Sequence, residues 1–127
     1  MSTPIEYPRK AGTPVSSKPF SPAVKVGDLI FVSGQASVDL AGNIVPDTFE
    51  GEFRRSMENL KKVVEDSGSD MKHVIQTRNY VRDPANIPLY NQLYRDYFSE
   101  PFPARTTIVL CLQGLHFEVE CIAVPKS

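Results

Sequence analysis

The first third of the chain passes from a proline-rich stretch to short apolar runs. Residues 1–22 contain five prolines and no helical period, which predicts an extended N-terminal arm. Two apolar runs follow, AVKV at 23–26 and LIFVSG at 29–34, and the pair Gly27 and Asp28 between them is typical of a two-residue turn. These residues therefore predict a β-hairpin.

From residue 48 the apolar period becomes helical. The stretch 48–67 predicts an amphipathic helix with Asp47 as its N-cap and Gly68 at its end. Its apolar stripe consists of Phe49, Phe53, Met57, Leu60 and Val64. A strand is predicted over 74–81, and a second helix over 88–98 after the break DPANIP.

The closing stretch EPFPARTTIVLCLQGLHFEVECIAV, residues 100–124, has the pattern of a second hairpin. A turn at Gln113 and Gly114 would place Thr107 opposite Glu120 on the neighbouring strand. The element order is then β-β-α-β-α-β-β. This order predicts an α+β two-layer sandwich, with both helices on one face of a mainly antiparallel sheet and a single domain over 1–127.

In that hairpin, alternation assigns Arg105, Glu118 and Glu120 to one sheet face and an apolar set to the other. The apolar set is Ile108, Leu110, Leu112, Phe117, Val119, Cys121 and Ala123. Two helices can cover one face only, so the face with Arg105, Glu118 and Glu120 would be exposed to solvent in a monomer. Self-association would cover this face. Arginine binds planar carboxylates through two parallel hydrogen bonds. The pattern is therefore equally compatible with two sites: one for a carboxylate ligand at a subunit boundary, and an interfacial salt bridge between Arg105 and Glu120.

The composition of the chain limits the classes of molecule that it is expected to bind. Fourteen Lys and Arg against fifteen Asp and Glu give a net charge of -1 without a polybasic run, which disfavours nucleic acid and anionic membranes as partners. No apolar stretch approaches the roughly 18 residues of a membrane span, and two cysteines suit a reducing compartment, so a cytoplasmic location is expected. His73 and His116 lack partners at metal-ligand spacing, and no metal site is predicted.

Five segments together resemble the reactive intermediate deaminase family, also called Rid or YjgF. They are SPAVKVGDLIFVSGQ, SMENLKKVVEDSGSDMKHVIQT, YNQLYRDYF, FPARTT and FEVECIAV, and the likeness covers about residues 19–124. The resemblance implies a chorismate-mutase-like fold and a homotrimer with an active-site cleft between subunits. It also implies a hydrolase that converts 2-imino or enamine acids into 2-keto acids and ammonia without metal or cofactor.

The family motifs place functional roles on particular residues. By this resemblance Arg105 binds the substrate carboxylate and Glu118 handles the catalytic water. The expected substrate-binding residues are Phe20, Ser33, Gly34, Asn91, Thr107 and Glu120. Three positions depart from the family pattern: Thr107 stands where a cysteine is common, Phe20 where a tyrosine is common, and Gln76 where a lysine is common.

Two other functions stay open. A non-catalytic trimer could bind a carboxylate metabolite or a partner protein, and the departures at Phe20 and Gln76 would favour it. A ribonuclease or translation inhibitor is disfavoured by the net charge. The aromatic residues of the second helix, Tyr90, Tyr94, Tyr97 and Phe98, could stack on RNA bases, but their helical spacing favours core and interface packing.

Overall fold

In the computed structural model, which describes residues 3–127, six strands form one sheet and two helices pack against one of its faces. The strands are β1 (Ile5–Glu6), β2 (Ala23–Val26), β3 (Leu29–Ala36), β4 (Val74–Val81), β5 (Ala104–Val109) and β6 (Phe117–Ala123). The helices are α1 (Phe49–Asp66) and α2 (Ile87–Tyr94), and single 3-10 turns occur at Met71–His73 and Pro84–Asn86. The predicted α+β two-layer architecture is confirmed.

The N-terminal hairpin forms as predicted. Strands β2 and β3 pair antiparallel, with Val26 opposite Leu29, and Gly27 adopts a φ of 58°, which suits a residue without a β-carbon. The predicted arm, 1–22, is not entirely outside the sheet, because β1 pairs antiparallel with β2. The first two residues of the arm lie outside the described residues.

Helix α1 agrees with the predicted bounds, but its cap lies one residue later than expected. Thr48, not Asp47, is the N-cap, and its side chain accepts a hydrogen bond of 3.1 Å from the N–H of Gly51. Gly68 follows the helix with a φ of 90°, as a C-terminal glycine does. Helix α2 is shorter than its predicted 88–98 because a 3-10 turn precedes it and turns replace its last residues.

The strand order, β1-β2-β3-β6-β4-β5, overturns the predicted C-terminal hairpin. Strand β6 lies between β3 and β4 and pairs antiparallel with both, whereas β5 pairs in parallel with β4. Thr107 is therefore aligned with Asn79, and Glu120 with Arg78. Strand β6 buries every second side chain. In the centre of the sheet it removes more apolar surface from water than it would at an edge.

The core lies between the helices and one sheet face. Its centre is an aromatic cluster in which the ring centroids of Phe53 and Phe117 are 4.7 Å apart, and Tyr90 packs edge-on to Phe53. Cys121 belongs to this core and Cys111 is exposed, and both are free thiols. The opposite sheet face has no helix upon it within the described residues. Neither α1 nor α2 is long and apolar enough to cross a membrane.

Candidate active site

The structure separates the arginine from the two glutamates. Arg105 is aligned with Thr77, whose fully buried side chain points to the helices, so Arg105 lies on the helix side of the sheet edge. Glu118 is aligned with Tyr80, on the open face, and Glu120 shares that face. The expectation that alternation brings these three side chains to one face is wrong, because β5 and β6 are not neighbours.

Two tyrosines of α2 form a platform for Arg105. The Arg105 guanidinium carbon lies 4.9 Å from the ring centroid of Tyr90 and 5.0 Å from that of Tyr94. The hydroxyl of Tyr90 is 2.8 Å from Oγ1 of Thr107, and that of Tyr94 is 2.7 Å from Oγ1 of Thr77. Since aromatic faces attract cations, both rings stabilise the guanidinium, and the two threonines hold the rings.

Both tyrosines keep their protons at neutral pH. Burial raises the pKa of Tyr90, and it raises the pKa of Tyr94 to about 12. The rings therefore present neutral phenols to the arginine and add no negative charge to neutralise it.

Arg105 opens onto a cleft of about 390 Å³ whose wall includes Asn91 and Phe102. Across residues 3–127, no carboxylate lies within ion-pair distance of the Arg105 guanidinium. A guanidinium stacked on one side and unneutralised at its edge can donate two parallel hydrogen bonds to a carboxylate. The cleft thus has the chemistry to bind an organic acid.

Glu118 belongs to a second cleft, of about 670 Å³, which also contains Lys18, Phe20 and Gly34. A β-carbon at position 34 would lie 3.0 Å from Oε2 of Glu118, so the glycine lets the carboxylate approach the backbone of β3. Partial burial raises the pKa of Glu118, the charge of Glu120 raises it further, and Lys18 opposes both. A carboxylate with a raised pKa is suited to exchanging protons near neutral pH.

Ser33 joins the N-terminal arm to this second cleft. Its hydroxyl donates a hydrogen bond of 2.5 Å to the carbonyl of Ser21, which fixes the segment that carries Phe20. The pairing of β3 with β6 shifts register between Val32 and Gln35, and Gly34 lies in that irregularity. Ser33 therefore positions the arm, and Gly34 contacts the cleft directly.

Glu120 has partners other than the expected Arg105. The hydroxyl of Tyr80 donates a hydrogen bond of 2.5 Å to Oε1 of Glu120, and Nη1 of Arg78 lies 4.0 Å from Oε2. The hydrogen bond to the carboxylate raises the pKa of Tyr80 to about 12. Gln76 lines the same shallow groove on the open face. A direct ion pair between Glu120 and Arg105 is excluded within one chain by their opposite faces.

The expected site residues thus form two clusters in one chain. Asn91, Arg105 and Thr107 lie at the α2 and β5 edge, whereas Phe20, Ser33, Gly34, Glu118 and Glu120 lie on the arm or on the open side of β3 and β6. Sequence reasoning treated Tyr90 and Tyr94 as packing residues. Their spacing of one helical turn was visible, but the arginine that they hold could be found only from the fold. Within the described chain, no three His, Cys, Asp or Glu side chains gather as metal ligands.

Comparison with known proteins gives relatives that match most of the chain. Protein mmf2, mitochondrial, from Schizosaccharomyces pombe is 37% identical over 110 residues, which cover 83% of this chain and 86% of the relative. A 2-iminobutanoate/2-iminopropanoate deaminase from Dermatophagoides farinae is 31% identical over 122 residues, 91% of this chain and 95% of the relative.

Solved structures agree with the fold. The yeast protein YEO7 superposes with a TM-score of 0.90 at 26% identity, covering 97% of this chain and 100% of the other. Escherichia coli TdcF with bound serine has a TM-score of 0.84 at 25% identity, covering 95% and 99%.

A family model described as Endoribonuclease L-PSP matches residues 11–125, nearly the whole chain. That match and the named imine deaminase among the relatives agree with the motifs around Ser33, Arg105 and Glu118. The chain therefore belongs to the L-PSP family, which is the Rid or YjgF family that its sequence resembles.

Proposed function

We propose that the protein is a hydrolytic deaminase that converts 2-imino or enamine acids into 2-keto acids and ammonia without a metal or cofactor. The observation that carries this proposal is the stacked, unneutralised Arg105 at the mouth of a small cleft. The relatives named as 2-iminobutanoate/2-iminopropanoate deaminases support the reaction type. The substrate is a small molecule with a carboxylate, which is the group that such an arginine binds.

The proposed site is assembled from two subunits of a homotrimer. One chain supplies Arg105 and Asn91 at its sheet edge, and its neighbour supplies Glu118 and Gly34 from the open face. The open face supports this assembly, because Phe31 and Ile108 expose 41% and 39% of their surface there, and an apolar sheet face of this kind favours burial. A neighbouring subunit would also cover the unneutralised arginine.

The proposed chemistry follows from these groups. Arg105 binds the carboxylate and so fixes the adjacent imine carbon next to Glu118. Water attacks that carbon, Glu118 accepts a proton from the water and passes it to the imine nitrogen, and a neutral carbinolamine forms. Glu118 then accepts the hydroxyl proton of the carbinolamine and gives it to the nitrogen, so that the C–N bond breaks, ammonia leaves and the carbonyl forms. One imine and one water yield one keto acid and one ammonia, so no redox partner is required.

The remaining proposed residues shape the pocket. The hydroxyl of Thr107 holds Tyr90 and thereby the Arg105 platform. Phe20, exposed at 53%, offers a ring but no hydroxyl for proton transfer. Glu120 acts through Tyr80 on the open face rather than by holding Arg105.

The activity is tested by generating a 2-imino acid in situ with an amino acid oxidase and trapping it with semicarbazide. An active protein competes with the trap and lowers semicarbazone formation. Arg105→Ala and Glu118→Gln should each abolish that competition, while Lys61→Ala, an exposed change on α1, should leave it intact. Full competition by Glu118→Gln would remove Glu118 from the mechanism.

Mixing the two inactive variants tests the shared site. If each site takes Arg105 from one subunit and Glu118 from its neighbour, random mixed trimers restore about a quarter of the sites to the native pair. Refolding Arg105→Ala with Glu118→Gln should therefore recover measurable turnover. No recovery, with mixed trimers verified by mass spectrometry, would contradict a site made between subunits.

A non-catalytic trimer that binds a carboxylate metabolite is the second candidate, and the missing hydroxyl at Phe20 favours it. It predicts keto acid binding without imine hydrolysis. Ribonuclease activity, which the description of the family model names, is disfavoured by the net charge of -1. A cytoplasmic location stays a prediction, since one relative is named as mitochondrial.

A further inference from the structure

A second arginine lines the cleft of Arg105. Arg95 is the C-cap residue of α2 and lies one helical turn after Asn91, so both residues lie along one side of the helix. Asn91, Arg95 and Arg105 all contribute to the wall of the same cleft of about 390 Å³. Neither the sequence motifs nor the proposed reaction assigns a role to Arg95.

Arg95 has the same kind of environment as Arg105. Its guanidinium carbon lies 5.3 Å from the ring centroid of Phe102, and no carboxylate within residues 3–127 lies at ion-pair distance from it. The next residue, Asp96, bonds instead to Arg54, with 3.0 Å between Oδ2 and Nη2. The acid closest in sequence is thus directed away from the cleft.

Two unneutralised guanidinium groups in one cleft repel each other, and an anion relieves that repulsion. Each group is stacked on an aromatic face, which leaves its N–H edge free to donate hydrogen bonds to an oxyanion. The cleft volume of about 390 Å³ lies in the range of small-molecule sites. A ligand with one carboxylate would satisfy one arginine and leave the other without a partner.

Arg95, as the C-cap residue, is also placed to stabilise α2, because a positive side chain at the C-terminus of a helix interacts favourably with the helix dipole. That role alone predicts a change in stability when the charge is removed, and no change in ligand preference. The two roles are therefore separable by experiment.

We infer that the cleft takes a dianionic 2-imino acid, with Arg105 holding the carboxylate next to the imine and Arg95 holding a second carboxylate on the substrate side chain. This inference rests on the proposed function and names the substrate class of that same site. Asn91, which lines the same cleft, can donate a hydrogen bond to, or accept one from, the bound ligand.

The test compares two keto acids that differ by the second carboxylate, 2-oxoglutarate and 2-oxobutanoate, by titration calorimetry. For the native protein, 2-oxoglutarate should bind about tenfold more tightly, as expected for one additional charge-assisted contact. Arg95→Gln should remove this preference, and Arg95→Lys should restore part of it. Lys61→Ala, which removes an exposed positive charge from α1, is the matched control and should retain the preference.

Equal affinity of the native protein for the two keto acids would overturn the inference. So would an unchanged preference in Arg95→Gln, since the arginine would then have its structural role alone. Thermal unfolding of Arg95→Gln separates a loss of ligand preference from a loss of folded protein.

The failure of the proposed function is distinguishable from the failure of this inference. Imines generated from glutamate and from 2-aminobutanoate are compared in the trapping assay, and faster hydrolysis of the glutamate imine supports the assignment. If neither imine is hydrolysed faster than in buffer, the deaminase proposal fails, and the calorimetric comparison still decides whether the cleft prefers a dianion.

Discussion

Replacing Arg105 by lysine isolates the geometry of the carboxylate grip from its charge. Lysine keeps a positive charge at the sheet edge but cannot donate two parallel hydrogen bonds from one planar group. It also loses part of the contact with the rings of Tyr90 and Tyr94, whose centroids are 4.9 Å and 5.0 Å from the Arg105 guanidinium carbon. Binding of a carboxylate ligand should therefore weaken although the net charge is unchanged.

The size of the effect follows from these contacts. One lost hydrogen bond between charged groups contributes about 1.5 to 3 kcal/mol. The two ring contacts, each about 0.5 to 1 kcal/mol at an exposed site, exist with and without ligand, so their partial loss affects folding rather than ligand binding. The dissociation constant of a 2-keto acid should rise roughly 10- to 150-fold in Arg105→Lys. Arg105 is exposed and has no ion-pair partner among residues 3–127, so partial loss of the ring contacts should lower the free energy of unfolding by no more than about 1 kcal/mol.

Calorimetric titration with 2-oxobutanoate, together with urea unfolding, measures both quantities. Tyr94→Phe is the matched control, since it keeps the ring under the guanidinium and removes only the hydroxyl bonded to Thr77. It should lower the free energy of unfolding by about 1 kcal/mol and leave ligand affinity within about twofold of native. If Arg105→Lys binds the keto acid as tightly as the native protein, charge alone holds the ligand, and the two parallel hydrogen bonds of the guanidinium do not contribute to binding.

Three further changes test other parts of the structure. Gly34→Ala should lower kcat in the trapping assay by several-fold with little change in keto acid affinity, because the added β-carbon would lie 3.0 Å from Oε2 of Glu118. A kcat equal to that of the native protein would contradict this close approach. Thr48→Ala should lower the free energy of unfolding by about 1 kcal/mol, through loss of the α1 cap, and an unchanged urea midpoint would exclude that cap. Asp70→Asn should lower the free energy of unfolding at neutral pH by less than about 1 kcal/mol, because the hydrogen bond from His73 depresses the pKa of Asp70, which is only partly buried. A folded-state pKa below the unfolded one gives stability that is present above the ordinary aspartate range and lost in acid, so the difference from native should vanish at low pH; a constant difference would refute the linkage.

Local sequence patterns predicted the bounds of the helices and strands better than the pairing of the strands in the sheet. The strand 74–81 has the predicted bounds, and α1 begins and ends within one residue of its prediction, because helical and strand periods are properties of neighbouring residues. The pairing of β5 was missed because the Gln113 and Gly114 pair resembles a hairpin turn. The choice between an adjacent strand and a distant parallel one depends on burial across the whole sheet.

The sequence supplied a list of candidate site residues, whose roles stay predictions, but not their arrangement in space. The motif around Arg105 predicted a carboxylate-binding group, which stays a prediction, and the alternation in β6 correctly placed Glu118 and Glu120 opposite the core face. The wrong strand pairing brought Arg105 to the same face and paired it with Glu120. The tyrosine platform and Arg95 depend on how α2 lies against β5, and no pattern within either segment contains that contact.

The position of β6 between two strands, and of β5 beside one, gives the two halves of the candidate site different dynamics. Amides of the central strand open to solvent only when most of the domain unfolds, whereas an edge strand opens by local fraying. Amide hydrogen exchange of a single chain should therefore be slow at Glu118 and faster along β5. Glu118, the proposed proton-transfer residue, would then be held rigidly, while the proposed ligand-binding edge could move, or change in sequence, without disturbing the core.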